Sequence, residues 1–583
     1  MIWKCCHSIF TIPYIYQMKS TLKVLFLVIL SGSGLSAQVN SINPFQYTIT
    51  KQLKARKYAV VSAHPLASEA GAMILQQGGN AIDAAIATQL ALAVVHPSAG
   101  NLGGGGFLVG RMKDGKNLAI DFREKAPIAA RKDMYLDSMG NVVTGLSVFG
   151  HLSSGVPGTV AGLFASAKYG KLPFNKLIQP AIDLAEKGFV ISERMAKSLN
   201  AVKPTFLKYN QTAPAFVNNG TWKQGDTLVQ PELAKTLIRI RDLGLKGFYE
   251  GETARLIVEE MKRANGIITF EDLRNYDAVE RKAVIFPYKQ YEILTMPLPA
   301  SGGIILLQLM KSIEKRNLGN KGFQSPEAVQ LMVEAERRSY ADRSEFLGDT
   351  DFVKVPVKQL TSEAYIANRM KDFVPGKAGN SDSMGHGQIS VESEETTHLS
   401  VVDQWGNAVA VTTTLNGGYG SFTVVTGAGF IMNNEMDDFS AKPGTPNIYG
   451  ALGTNANAIS PGKRMLSSMT PTIVLKKGKP YIVVGTPGGT TITTSVFQSL
   501  VNILDFKLSA FDAVNKPKFH HQWKPDIVFV EEDFPQATIS AMEKMGYIFR
   551  KRASIGQTEL ILINGKKLEA IADKRGDDSA AGN

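Results

Sequence analysis

Cysteine is nearly missing from this chain: among 583 residues only Cys5 and Cys6 carry a thiol. Both fall in residues 1–37, which read as an export signal. Met18-Lys19 and Lys23 precede an apolar run at 24–30, and Leu35-Ser36-Ala37 supplies small residues at a cleavage point. Met18 offers a second start. A chain beginning after Ala37 has no disulfide, thiol nucleophile or thiolate metal site, so its nucleophile is an oxygen or an amine. The apolar run is too short to cross a bilayer, and no later stretch reaches the roughly 18 uninterrupted apolar residues that a spanning helix needs. The expectation is an exported protein, periplasmic or secreted, without a stable membrane span.

Other signatures are missing too. Gly103-Gly104-Gly105-Gly106 looks like the start of a phosphate loop, but no Lys-Ser/Thr pair follows, so close backbone packing is the expectation. There is no HExxH helix. His520-His521 is an adjacent pair whose side chains diverge on a strand, which argues for surface or packing histidines over metal ligands. There is no G-x-S-x-G elbow either. The formal charge of +12 includes Lys4, Lys19 and Lys23 of the leading segment and is otherwise spread thinly. Without a basic block or zinc-finger spacing, nucleic acid is not an expected partner, whereas small carboxylates are.

What is present is ordinary globular composition, 44% hydrophobic and 20% charged. After a short strand at 58–62, "LASEAGAMILQQGG" reads as a helix closed by Gly78-Gly79. Residues 81–95 read as a second, Ala-rich and buried helix ended by Pro97. Amphipathic helical patterns fill 231–281. At 375–395 the chain turns polar and glycine-containing, the chemistry of an exposed loop. Strands follow at "THLSVVD", "AVAVTTTL", "GFIMNN" and "PTIVLKKGKPYIVVGTPGG", and "TTSVFQSLVNIL" reads as a helix.

The hairpin after that loop has a predictable register. With 403–407 as its turn, Val402 pairs with Ala408, and the same register carried outward sets Thr414 opposite Thr396. Opposed residues lie roughly 4.5–5.5 Å apart at Cβ, close enough for one hydroxyl to reach the other. Such a pair can simply stabilise a hairpin. It can also do chemistry if the chain is cut between Glu395 and Thr396. A free α-amine, with a pKa of about 7.7–8.0, is then the base that an internal amide cannot be.

"TTHLSVVD", "GNAVAVTTTLN", "NNEMDDFSAKPG", "RMLSSMTPTIV", "GTPGG" and, far upstream, "NLGGGGFLV" and "DFREKAP" together resemble the gamma-glutamyltransferase (gamma-glutamyltranspeptidase) family of N-terminal nucleophile hydrolases. The likeness runs from about Ala59 to near the C-terminus. It implies an α+β fold, a four-layer αββα sandwich formed jointly by two self-cleaved subunits, residues 38–395 and 396–583, as one interlocked heterodimer. Thr396 matches the nucleophile, Thr414 its hydrogen-bonding partner, and Gly488-Gly489 the oxyanion hole. Asn416, Glu435 and Asp438 match the site for the substrate's α-amino group. Glu435 stands where the family carries Gln or Glu. Arg123, Ser467 and Ser468 match the α-carboxylate clamp, and Tyr449 a lid over the pocket at about 443–454. The family uses no metal or organic cofactor. The implied reaction passes the γ-glutamyl group of glutathione and related amides through a Thr acyl-enzyme to water, amino acids or dipeptides. The alternatives are a related acylase, a poly-γ-glutamate-processing transpeptidase, or an exported amino-acid or peptide binding protein that is never cut.

Overall fold

The computed structural model describes residues 42–383 and 396–583. The export-signal reading of 1–37 and the expected cleavage residue Glu395 lie outside them, as does most of the polar loop. The body Asn43–Asn583 is built on two antiparallel sheets of seven strands each. The first runs, in order, Ser579–Gly582, Ala59–Ser62, Thr397–Val402, Ala408–Thr414, Gly105–Arg111, Asn117–Asp121 and Val279–Glu280. The second runs Gln52–Ala55, Lys567–Ile571, Glu559–Asn564, Lys479–Gly485, Thr472–Lys476, Tyr291–Thr295 and Val284–Tyr288. Each sheet therefore draws strands from both sides of Thr396.

Side-chain alternation explains the layering. In the second sheet Ile473 and Val483 face a core shared with Val61, Phe107 and Val109 of the first sheet. Their neighbours Val474, Ile482 and Val484 face outward, onto the helices Gly302–Glu314 and Thr491–Leu504. On the first sheet, Val60 meets the helix Pro65–Gln76 near Gly71. The expected Ala-rich helix is Ala81–Val95; it is apolar on all sides and buried at every position, with Asn80 and Asp83 forming a capping box at its start. Among the described residues no helix is long and apolar enough to cross a membrane.

Two sequence expectations meet different outcomes. The four glycines pack against backbone: a Cβ on Gly104 would lie 2.1 Å from the Thr414 carbonyl oxygen, and one on Gly106 2.3 Å from that of Thr412. "GFIMNN" is not a strand. It makes only isolated bridges, Met432 to Gly103 and Ile431 to Val424, because its run of apolar residues threads beneath the glycine segment instead of joining either sheet edge. His520 and His521 are buried packing residues, hydrogen-bonded to Thr494 and Gln522 and to Asp526 respectively.

Candidate active site

The hairpin has the expected register, Val402 opposite Ala408 and Thr397 opposite Thr413. Thr396 and Thr414 are the residues that follow this pair at the open end. Both are buried. Thr414 Oγ1 accepts the Asn416 N–H at 2.7 Å, which bends the chain into the left-handed conformation of Asn416 (φ 77°). Asn101 fixes this strand end from below, donating to the Thr414 carbonyl at 2.9 Å and the Thr413 hydroxyl at 3.2 Å.

Thr396 and Thr414 open onto one small pocket. Asn416, Glu435, Asp438 and Tyr449 line it, as do Arg123, Ser467 and Ser468, and Gly489 forms part of its wall. Gly488 lies just behind, its carbonyl accepting the Thr491 N–H at 2.9 Å where the helix Thr491–Leu504 begins. That helix points its positive N-terminal end toward the pocket wall.

Arg123 is fully buried at the end of the strand Asn117–Asp121. Its Nη1 lies 2.5 Å from Glu435 and 3.4 Å from Glu124, and its Nη2 donates to Asp438. Burial works against the arginine's charge, but the three carboxyl groups outweigh it and raise its pKa. Burial also dominates for the carboxyls. It pushes Glu124 up to about 7 against the pull of Arg123, and raises Glu435 and Asp438 in the same way. Three carboxyls crowd the Arg123 guanidinium, and Asp438 is also attracted by Arg343.

The segment 443–454 contributes Asn447, Tyr449 and Ala451 to the pocket lining and is tied down at several points. Asn447 donates to Asp438 at 2.9 Å, Ile448 N–H to Asp437 at 2.8 Å, and the Tyr449 hydroxyl to the Asn416 carbonyl. Tyr449 lies against Gly489, where a Cβ would approach its ring to 2.6 Å.

Six lining residues, Arg343, Asn447, Ala451, Met469, Thr490 and Ile492, are not among the sequence candidates. Arg343 belongs to the helix Pro326–Phe346, which buries Glu334, Glu336, Arg337, Arg338 and Asp342 as well. A helix with charges on every face offers no apolar stripe to read, and that anomaly is itself the only signal. Among the described residues no cluster of His, Cys, Asp or Glu is fit to hold a metal ion.

The fold is similar to that of a solved cephalosporin acylase from Bacillus halodurans, which is 25% identical with a TM-score of 0.80 over 93% of this chain and 99% of that one. The class so defined is that of acylase-like α+β enzymes. Within it, the gamma-glutamyltranspeptidase family model matches residues 67–583, and the chain belongs to that family. The glutathione hydrolase proenzyme of Escherichia coli K12 is 45% identical over 571 residues, covering 96% of this chain and 98% of that protein. The gamma-glutamyltranspeptidase of Helicobacter pylori is 48% identical with a TM-score of 0.54, over 55% of this chain and 92% of that one.

Proposed function

We propose that this chain is an exported γ-glutamyl-transferring enzyme that hydrolyses glutathione and related γ-glutamyl amides after cutting itself between Glu395 and Thr396. The observation that carries the reading is the meeting, in one pocket, of a strand-leading threonine and a cluster of opposed charges suited to a zwitterion. An α-amino acid head group brings an ammonium to Asp438, Glu435 and the amide oxygen of Asn416, whose Nδ2 is held by the Asn434 carbonyl at 3.0 Å. Its α-carboxylate meets Arg123, Ser467 and Ser468.

Thr396 Oγ attacks the γ-carbonyl carbon and passes its proton to its own α-amine. The Gly488 and Gly489 N–H groups stabilise the resulting oxyanion. As the C–N bond breaks, that proton goes to the leaving amine, which is cysteinylglycine when glutathione is the donor. Water or the amine of an amino acid or dipeptide then takes the glutamyl group from the Thr396 ester. Thr414 orients the nucleophile, and Tyr449 with its loop limits entry of water.

In this reading the layers form an αββα sandwich, and cutting yields subunits 38–395 and 396–583. Since both sheets take strands from both sides of the cut, the two pieces stay interlocked as a heterodimer. The Escherichia coli relative is named a proenzyme, and the Helicobacter pylori chain aligns over almost its whole length with only 55% of this one. Both fit a divided precursor.

The test is release of the anilide from γ-glutamyl-p-nitroanilide by the purified protein, with and without glycylglycine. Turnover that glycylglycine accelerates supports the reading. Failure to use this donor, together with turnover of glutaryl amides, which lack the ammonium, would favour the acylase alternative, whose fold the chain shares.

A further inference from the structure

Positive charge that is thin along the sequence is gathered by the fold at one end of the two sheets. Five strand connections meet there, 56–58, 112–116, 403–407, 477–478 and 565–566, and they come from both sheets. Between them lies a groove of about 550 Å³ lined by Arg56, Lys57, Arg111, Lys113, Lys479 and Lys566. All of these except Arg111 are exposed, and among the described residues none of the six is in an ion pair.

Arg111 is the scaffold of the group. Its guanidinium donates to the Gly115 carbonyl and to Asn117 Oδ1 of its own hairpin, and to the Gly478 carbonyl of the other sheet at 2.9 Å. A turn of one sheet is thereby tied to a turn of the other, which fixes the spacing of the lysines beside them. The one carboxylate lining the groove is Asp403, and it is engaged by the protein itself: Oδ1 accepts the Trp405 and Asn407 N–H groups and Oδ2 the Ala81 N–H, each at 2.9 Å. Like charges gathered in this way attract an anionic partner.

The floor of the groove is apolar, with Met112, Trp405, Pro480, Ile563 and Leu568 contributing. Lys171 Nζ lies 3.7 Å from the centre of the Trp405 ring, so one face of that half-buried ring is taken, which disfavours stacking of a nucleobase. Cations around an apolar centre with an aromatic edge suit the boundary between lipid head groups and acyl chains. The groove also sits at the turn end of the hairpin whose open end carries Thr396, a strand length of roughly 20 Å away. A surface bound there leaves the reaction pocket clear.

We propose that this basic end is a docking surface for a bilayer rich in anionic phospholipid. The cations meet the phosphodiester head groups, and Trp405 with its apolar neighbours rests at head-group depth. Such attachment is peripheral and salt-sensitive, and it is independent of the reaction at Thr396.

Cosedimentation of the purified protein with vesicles tests it, using phosphatidylcholine alone and an equal mixture of phosphatidylcholine with phosphatidylglycerol. Wild type is expected to bind the mixture, to be released from it by high salt, and to ignore phosphatidylcholine alone. The triple variant Lys113→Gln, Lys479→Gln and Lys566→Gln should bind the mixture about a hundredfold more weakly, at about fivefold per cation. Lys176→Gln, Lys262→Gln and Lys544→Gln together remove the same charge from exposed positions that do not line the groove, and should change binding little. Both triple variants should keep the wild-type melting profile. Equal binding to the two vesicle types, binding that salt does not weaken, or equal losses in the two triple variants would overturn the proposal. So would a groove variant that loses binding to a single-stranded oligonucleotide when wild type binds no vesicle, since the groove would then be a nucleic-acid site.

Discussion

Thr414 differs in shape from valine by little more than one hydroxyl, and that hydroxyl sits at the mouth of the hairpin, in the pocket that Thr396 also lines. Thr414→Val keeps the strand propensity and volume while removing the hydroxyl that, in the proposed mechanism, aims Thr396. Maturation rate or kcat should fall at least tenfold; wild-type values with an unchanged melting profile would reduce the pair to hairpin packing. The hairpin register is legible in the sequence because side-chain alternation has a period of two and the 403–407 turn pins it. Arg123, Glu435 and Asp438 are readable only as motif matches, since nothing in "DFRE" or "NNEMDDF" says that residues more than 300 apart form one ion cluster. Arg343 is not legible at all. Its helix carries charge on every face, so hydrophobic periodicity gives it no orientation.

At the level of elements, the site depends on close backbone approach. The glycine run lets the strand Gly105–Arg111 lie against Ala408–Thr414, and Gly489 (φ 51°) lets the start of the helix Thr491–Leu504 meet Tyr449. Gly489→Ala adds a Cβ 2.6 Å from the Tyr449 ring at a backbone angle that disfavours side chains. It should displace Tyr449 or the N–H groups beside it and reduce kcat by about a hundredfold to a thousandfold, the range for a lost oxyanion donor. Ester formation measured in a single turnover would report the defect directly, and unaltered acylation would remove Gly489 from the oxyanion role. The strands and helices themselves are largely legible from turn residues and periodicity. "GFIMNN" fails because an apolar run beneath a glycine segment is buried without any ladder to join, and composition alone cannot separate that from a strand.

For the whole molecule, the assignment of fourteen strands to two sheets is not visible locally, because it depends on contacts between residues hundreds of positions apart. The interface between those sheets is not purely apolar. His398 lies within it, bonded to Thr412 Oγ1 at 2.9 Å and Ser400 Oγ at 3.1 Å, with its ring against Gly485. Burial drops its pKa from 6.5 to about 3. The unfolded chain therefore binds a proton below about pH 6.5 that the fold refuses until about pH 3, so the histidine's contribution is complete above 6.5 and is lost on acidification. His398→Gln removes about 1.4 kcal/mol of pH-dependent stability per pH unit in that window. Urea midpoints of wild type and variant between pH 4 and 6.5 should converge or cross as pH falls, whereas parallel curves would contradict the buried neutral histidine. In the proposed function, folding of the whole precursor serves to free one amine beside one hydroxyl at Thr396. N-terminal sequencing of the smaller fragment from purified wild-type protein, alongside Thr396→Ala, tests it most directly. The account predicts a fragment beginning at Thr396 and an uncut, inactive variant; a fragment beginning elsewhere, or a cut and active Thr396→Ala, would contradict it.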